Sequence, residues 1–357
     1  MRILMTTDTL GGVWTYTLDL ARALAAWSVE ITLATMGAPP SAGQRAQVAT
    51  LPNVSLQVGR YKLEWMDDPW CDVDAAGRWL LTLAERADVD LVHLNNYAHG
   101  ALPWDRPVLM VGHSCVLSWW QAVKGEAAPS SWSKYRERVT AGLRAAHCVV
   151  APTAAMLQTL QQYYGPMQHA RVIYNGRATD RFHRERKAPF VFSAGRVWDE
   201  AKNIQALACV APELEWPVYV AGPAARPDGH PSSSFGGINQ LGRLDGEDLA
   251  YWMNHAAVYA LPARYEPFGL TALEAALAGC ALVLGDIPTL REVWGNAALY
   301  VPPDDTQALA STLRTLTCRQ TLCARQGAAA QRRAAQFSLQ HMGDRYYELY
   351  AWLTETD

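Results

Sequence analysis

Hydrophobic positions along this chain fall into two alternating patterns. Short, nearly continuous apolar runs recur between longer stretches whose apolar residues return at helical spacing. In the first half the short runs are residues 2–6, 30–35, 54–57, 91–94, 108–112, 147–151 and 171–174. In the second half they are 190–194, 218–221, 239–241, 258–261, 281–284 and 299–301. Strands that are apolar throughout are buried on both faces, as in parallel sheets covered by helices. Helical patterns lie between them, as at 14–27; another, 119–143, is interrupted by Gly125 and Pro129. The pattern predicts an α/β protein of two doubly wound domains. The charged run 180–188, with Arg181, His183, Arg184, Glu185, Arg186 and Lys187, has no hydrophobic periodicity and reads as a linker. It divides an N-terminal domain, 1–183, from a C-terminal one, 184–338, and an amphipathic helix within 339–357 ends the chain.

The length of 357 residues suits two such domains, each able to bury its own core. A formal net charge of −3 argues against a nucleic-acid binder, which needs a concentrated cationic surface. The first 187 residues carry roughly +3 and the rest roughly −6, an asymmetry that allows at most peripheral membrane contact. The longest apolar stretch, 269–285, contains Glu274 and is too short for the ~20 residues of a membrane span. Seven cysteines show neither Cys-x-x-Cys pairs nor zinc spacing, which fits reduced thiols. With Met1-Arg2-Ile3-Leu4 leading directly into a strand, no signal peptide is read and a cytoplasmic protein is expected.

Candidate chemistry gathers where strands end. Gly11 and Gly12 follow the first run, where glycines let a backbone approach a ligand and leave helix N–H groups for an anion, although tight packing alone also calls for them. The Gly-x-Gly-x-x-Gly spacing is absent and the second strand ends without a ribose-binding acid, which disfavours a nicotinamide oxidoreductase. The most informative segment is Glu266-Pro267-Phe268-Gly269-Leu270-Thr271-Ala272-Leu273-Glu274, read as a loop entering a helix near Phe268. N–H groups from Gly269 to Thr271 would face an anionic ligand. Glu266 and Glu274 lie about 12 Å apart along a helical rise, which suits one carboxylate at a sugar and the other at a ribose, with a diphosphate between. Glu274 sits inside an apolar run, where a carboxylate is costly without a partner. Arg196, at a strand's carboxyl end, and Lys202, in the following loop, supply two cations that would neutralise a diphosphate.

These segments, taken in order, resemble glycosyltransferase family 4, the retaining GT-B enzymes. Glu266 to Glu274 resembles the family's Glu-x7-Glu motif. Ser193-Ala194-Gly195-Arg196 with Lys202-Asn203 is similar to the pattern that opens the second domain, and Val172-Ile173-Tyr174-Asn175-Gly176 to the stretch before the linker. Asp286-Ile287-Pro288-Thr289-Leu290-Arg291-Glu292-Val293 looks like the family segment after the next strand. Leu241-Gly242-Arg243-Leu244 matches a base-contacting loop, and the Gly/Ser/Pro-rich run from Gly222 to Gly237 borders that pocket. The resemblance implies a GT-B fold, two Rossmann-like domains facing across a cleft, with the C-terminal helix crossing back to the first.

It also implies a metal-independent hexosyltransferase that moves a sugar from a nucleoside-diphosphate sugar, a co-substrate, by front-face substitution with retention, and no cofactor is called for. Donor contacts are assigned to Gly11, Gly12, Gly242, Leu244, Phe268, Gly269, Leu270, Thr271 and Glu274, with His113, Glu266, Arg196 and Lys202 at the reacting groups. The acceptor, a saccharide, lipid-linked or small molecule, is expected near Asn95, Tyr97, Trp119 and Trp120. Indole faces there suit a sugar ring or an apolar acceptor, and equally suit core packing. His93 and His99, flanking this segment, either bind acceptor hydroxyls or cap the strand. An epimerase of the same fold, or a non-catalytic sugar-nucleotide binder, are the remaining readings.

Overall fold

The computed structural model describes residues 1–224 and 235–355 and divides into two compact units. The first comprises Met1–Gln121, Gly125–Gly176 and the chain from Leu339, and the second Arg177–Ser338 with Ala122–Lys124. The Gly/Ser/Pro-rich run read as bordering a base pocket lies largely outside the described residues.

In the first unit the strands are β1 (Arg2–Asp8), β2 (Glu30–Met36), β3 (Val54–Val58), β4 (Leu91–Leu94), β5 (Val108–Val111), β6 (Cys148–Ala151) and β7 (Ala170–Val172). They pair in parallel in the order β3-β2-β1-β4-β5-β6-β7. Every residue of β4, β5 and β6 is buried, which is why these strands read as apolar runs, interrupted in β4 by His93, rather than alternating ones. The chain turns outward from β1 to β2 and β3, then returns on the other side at β4. The carboxyl ends of β1 and β4 therefore flank the point where the winding reverses, the usual ligand position in such sheets. The last helix, Leu339–Glu355, packs on the helix Gly12–Leu24. Gly343 permits this approach, since a Cβ there would stand 2.5 Å from the Ala23 Cβ. Tyr346 and Tyr350 on this helix are fully buried.

The second unit repeats the design with β8 (Ala188–Ala194), β9 (Val218–Ala221), β10 (Asn239–Gly242), β11 (Ala256–Leu261), β12 (Ala281–Gly285) and β13 (Leu299–Val301). Their order is β10-β9-β8-β11-β12-β13, again parallel, so the winding reverses between β8 and β11. One core face gathers Phe192, Tyr259, Leu273 and Trp294, the other Val191, Leu207, Val258 and Leu313. Burying each such side chain contributes roughly 1.5–3 kcal/mol.

The units separate between Gly176 and Arg177, earlier than the boundary at 183/184 read from the sequence. The charged run 180–188 is not a solvated linker, because its polar groups satisfy the second unit. Asn254 Oδ1 accepts from the His183 N–H at 3.1 Å, and Arg181 pairs with Glu247 at 2.9 Å. Lys187 Nζ donates to the carbonyls of Met253, Asn254 and Ala278 at 3.2, 2.9 and 2.6 Å, at the carboxyl ends of the helices Gly246–His255 and Leu270–Leu277. Burial lowers the pKa of this lysine. Among the described residues no helix is long and apolar enough to cross a membrane. All seven cysteines are free thiols.

Candidate active site

On the second unit, the loops after β8 and β11 carry the charged candidates to the reversal point. Gly222, after β9, has φ 143°, and a Cβ there would stand 1.7 Å from the Gly195 carbonyl oxygen, so glycine alone lets the two strand ends meet. The Lys202 stem then runs over Gly195, with its Cγ, Cδ and Cε 3.5–3.7 Å from the place of a Cβ. Asn203 adopts a left-handed conformation (φ 54°) and donates its side-chain amide to Pro262 O at 2.9 Å and Pro303 O at 2.7 Å. Asn203 thereby ties the β8 loop to the ends of β11 and β13. The Arg264 N–H adds a bond to Ala201 O at 2.9 Å.

With the loops locked, Lys202 Nζ hydrogen-bonds Glu266 Oε2, and both side chains are mostly buried. Glu266 is held in turn by Thr289, whose hydroxyl donates to the Glu266 carbonyl at 2.6 Å. The helix starts at Leu270, two positions later than the sequence suggests, because Gly269 takes φ 88° as its cap. No side chain caps it, and the Glu266 Cγ lies 3.4 Å from where a Gly269 Cβ would stand. An ammonium, a carboxylate and the positive end of a helix thus share one place.

Arg196 is paired as well: Asp199 Oδ2 accepts from its Nε at 3.1 Å and its Nη2 at 2.6 Å, and the guanidinium lies over the Trp198 ring. Burial pushes the Asp199 carboxyl up, but the Arg196 and Lys202 charges and the hydrogen bonds it accepts outweigh this and hold it below the ordinary value. Each of the two cations therefore has a carboxylate partner. Glu274 is buried on the same helix and accepts from Arg177 Nε at 2.7 Å. Arg177 supplies the partner that a carboxylate in an apolar run requires; as a single arginine far off in sequence it gave no local signal.

Phe268 is a core residue, 2% exposed and edge-on to Phe337, so only its backbone is available to a ligand. Leu270 and Leu244 pack partly against the same core, and Thr271 Oγ1 accepts from the buried Tyr259 hydroxyl at 2.7 Å. Gly242 is exposed with φ 70°, its carbonyl accepting from the Gly222 N–H at 2.7 Å.

On the first unit, Gly11 and Gly12 are exposed at the start of the helix Gly12–Leu24, whose cap Gly11 (φ 66°) offers no side chain. Asn95 and Tyr97, read as acceptor contacts, are engaged internally. Tyr97 is buried with its hydroxyl donated to Ser114 O at 2.8 Å. Asn95 Oδ1 lies 2.8 Å from His113 Nε2, and its Nδ2 donates to Thr6 O at 2.7 Å. Glu64, which carries no motif, is buried and accepts from the N–H groups of Tyr97 and Ala98, fixing the turn after β4. His99 donates or accepts inward, at Val73 O and Asn96, and does not reach the surface. His113 closes β5 with its ring against Tyr16 at 4.5 Å between centroids. Desolvation lowers its pKa to about 3, and that of His93 likewise to about 3, so both rings are neutral. Trp119 and Trp120 are half-buried and edge-to-face at 6.0 Å on the helix Val116–Lys124.

Two Rossmann-like units of parallel sheet, with charged loops at the point where the second sheet reverses, define a GT-B glycosyltransferase architecture. The chain belongs to the glycosyltransferases of the family 4 type: residues 10–181 match the family described as Glycosyltransferase Family 4, and 188–318 match Glycosyl transferases group 1. It is similar to a Mycobacterium tuberculosis glycogen synthase, 37% identical over 95 residues, which cover 26% of this chain and 23% of that protein. An Escherichia coli O-antigen chain mannosyltransferase B is 38% identical over 76 residues, 21% of this chain and 20% of that one. The chain thus aligns with under a quarter of either relative's length. In fold it is similar to a sucrose-phosphate synthase from Thermosynechococcus elongatus (TM-score 0.82, 18% identity, all of both chains). It is also similar to Anabaena HepE in complex with UDP-glucose (TM-score 0.77, 18% identity, 99% of this chain and 100% of that one).

Proposed function

We propose that this protein transfers a hexosyl group from a nucleoside-diphosphate sugar to a hydroxyl acceptor with retention of configuration and without a metal ion. The observation that carries this reading is the Lys202–Glu266 pair at the uncapped start of the helix Leu270–Leu277, at the reversal point of the second sheet. Lys202, Arg196 and the N–H groups of Gly269 to Thr271 take the diphosphate, whose charge grows as the C1–oxygen bond breaks. Binding exchanges one carboxylate partner of Lys202 for a phosphate, which releases Glu266 to a sugar hydroxyl. Glu274, oriented by Arg177, takes the ribose, the Gly242–Leu244 backbone lies near the base, and His113 takes a further sugar hydroxyl.

The acceptor oxygen attacks C1 from the face the diphosphate leaves. Its proton passes to the departing phosphate oxygen, giving glycoside and nucleoside diphosphate. The fold neighbour holding UDP-glucose supports a nucleotide sugar as donor. A thermal-shift screen of UDP-, GDP- and ADP-sugars tests the reading, since a ligand at a hundredfold over its Kd adds about 2.7 kcal/mol. The matching sugar nucleotide should raise Tm and release nucleoside diphosphate at the same rate in EDTA, with the product anomer matching the donor by NMR. No response to any sugar nucleotide would overturn the assignment.

A further inference from the structure

A run of hydrogen bonds in the first unit decides which nitrogen of His113 carries the proton. It starts at the backbone of β1. Asn95 donates its Nδ2 to Thr6 O at 2.7 Å, and its N–H to Thr6 Oγ1 at 2.8 Å. An amide whose NH2 faces a carbonyl must turn its own oxygen the other way. That oxygen lies 2.8 Å from His113 Nε2 and 3.3 Å from His93 Nε2. Because it can only accept, each Nε2 carries a hydrogen, and in a neutral imidazole the Nδ1 then holds a lone pair. With its Nε2–H turned to Asn95, His93 leaves a bare Nδ1 that accepts from the Tyr350 hydroxyl, 2.6 Å away on the C-terminal helix. Both rings are neutral, as burial dictates. His113 Nδ1 has no hydrogen-bond partner among the described residues.

We propose that Asn95 is a positioning residue that holds His113 in the Nε2–H tautomer, so that His113 Nδ1 meets its ligand only as a hydrogen-bond acceptor. Resting on the proposed assignment of His113 to the donor sugar, this makes the histidine selective. A neutral hexose presents a hydroxyl hydrogen to Nδ1, whereas a uronic acid presents a second acceptor that finds no donor. Tyr350 and His93 extend the same hydrogen-bond run to the C-terminal helix.

Long-range proton–nitrogen NMR of the full chain labelled at histidine nitrogens, near pH 7, reads the tautomer directly, with the His113 signals assigned by their loss in H113Q. The expected wild-type pattern is a protonated Nε2 and a bare Nδ1 for both His113 and His93. In N95L the His113 pattern should become a mixture, and the KM for a neutral UDP-hexose should rise about tenfold, with nucleoside-diphosphate affinity unchanged. If N95L does not fold, N95S serves in its place, and the His113 pattern should again become a mixture. A protonated Nδ1 on wild-type His113, or an unchanged tautomer in N95L, overturns the proposal. A tautomer as assigned in a protein that turns over no sugar nucleotide supports the Asn95 role and overturns the functional reading instead.

Discussion

Replacing Arg177 by Met tests how the fold supports a buried carboxylate of the candidate site. Arg177 Nε meets Glu274 Oε1 at 2.7 Å, with the side chains 17% and 5% exposed. Met keeps much of the stem that lies against Phe182, over which the guanidinium is centred at 5.4 Å, and removes only the charge. A buried pair broken from one side loses about 3–5 kcal/mol, because the remaining charge stays in an apolar setting. The partial exposure of Arg177 places the expected loss near the lower end, about 3 kcal/mol. For a cooperative unit of this size, that corresponds to a melting temperature lower by about 6–12 °C. Adding E274Q to R177M takes the buried charge away and should return most of that loss. Urea titrations of wild type, R177M, E274Q and the double variant close the cycle, and nucleoside-diphosphate titration on the same four proteins reads the ribose role. A loss in R177M of under about 1 kcal/mol, the scale of a solvated pair, would refute the buried-pair argument. Equal stability of R177M and the double variant would refute it as well.

Alanine at Lys202 or Arg196 should lower turnover about a hundredfold, the effect of losing one preorganised electrostatic donor; near-normal rates in both would discard the phosphate assignment. E266Q should leave nucleoside-diphosphate affinity nearly unchanged and lower transfer strongly, which calorimetry and rates on one preparation separate. Alanine at Trp119 and Trp120 should raise the apparent acceptor constant with nucleotide binding intact; a weakened donor affinity would place them elsewhere. Burial holds His93 at about 3 and His99 at about 4 in the folded chain, against an ordinary 6.5. The unfolded chain therefore takes up protons first, and stability should fall by about 2 kcal/mol per histidine from pH 7 to pH 5. H93N should lose one histidine's share of that dependence in denaturant titrations at the two pH values, and an unchanged dependence would contradict the assignment.

The thirteen strands of the described residues fall on the apolar runs, and one buried on both faces, such as β11, writes itself as an unbroken run, whereas the exposed β10 does not. The loops of interest were legible for a related reason: charge and glycine at a strand's carboxyl end stand out against that background, as with Arg196, Lys202 and Glu266. What the pattern could not show is which polar groups turn inward. Lys187 looks like a solvated cation until three carbonyls are found around its ammonium. Arg177 and Glu274 are far apart in the chain, and no local spacing links them. Tyr97 and Asn95 sit beside a strand end, as acceptor contacts would, yet Ser114, Thr6 and His113 engage them. Phe268 belongs to a motif, and its ring nevertheless fills the core.

Lys187 also bears on the field felt at the other end of the helix Leu270–Leu277. A helix carries about half a positive charge at its start and half a negative charge at its end, and across eight residues the two lie only about 12 Å apart. So short a dipole largely cancels itself at a distance. By seating an ammonium on the Ala278 carbonyl at 2.6 Å, the chain offsets the negative pole and leaves the positive pole at Gly269 without its counterweight. The helix then acts toward an anion less as a dipole than as a monopole, whose attraction falls off more slowly and reaches farther along the approach of a diphosphate. An uncharged substitute at position 187 would leave every residue around Gly269 in place and still shorten that reach.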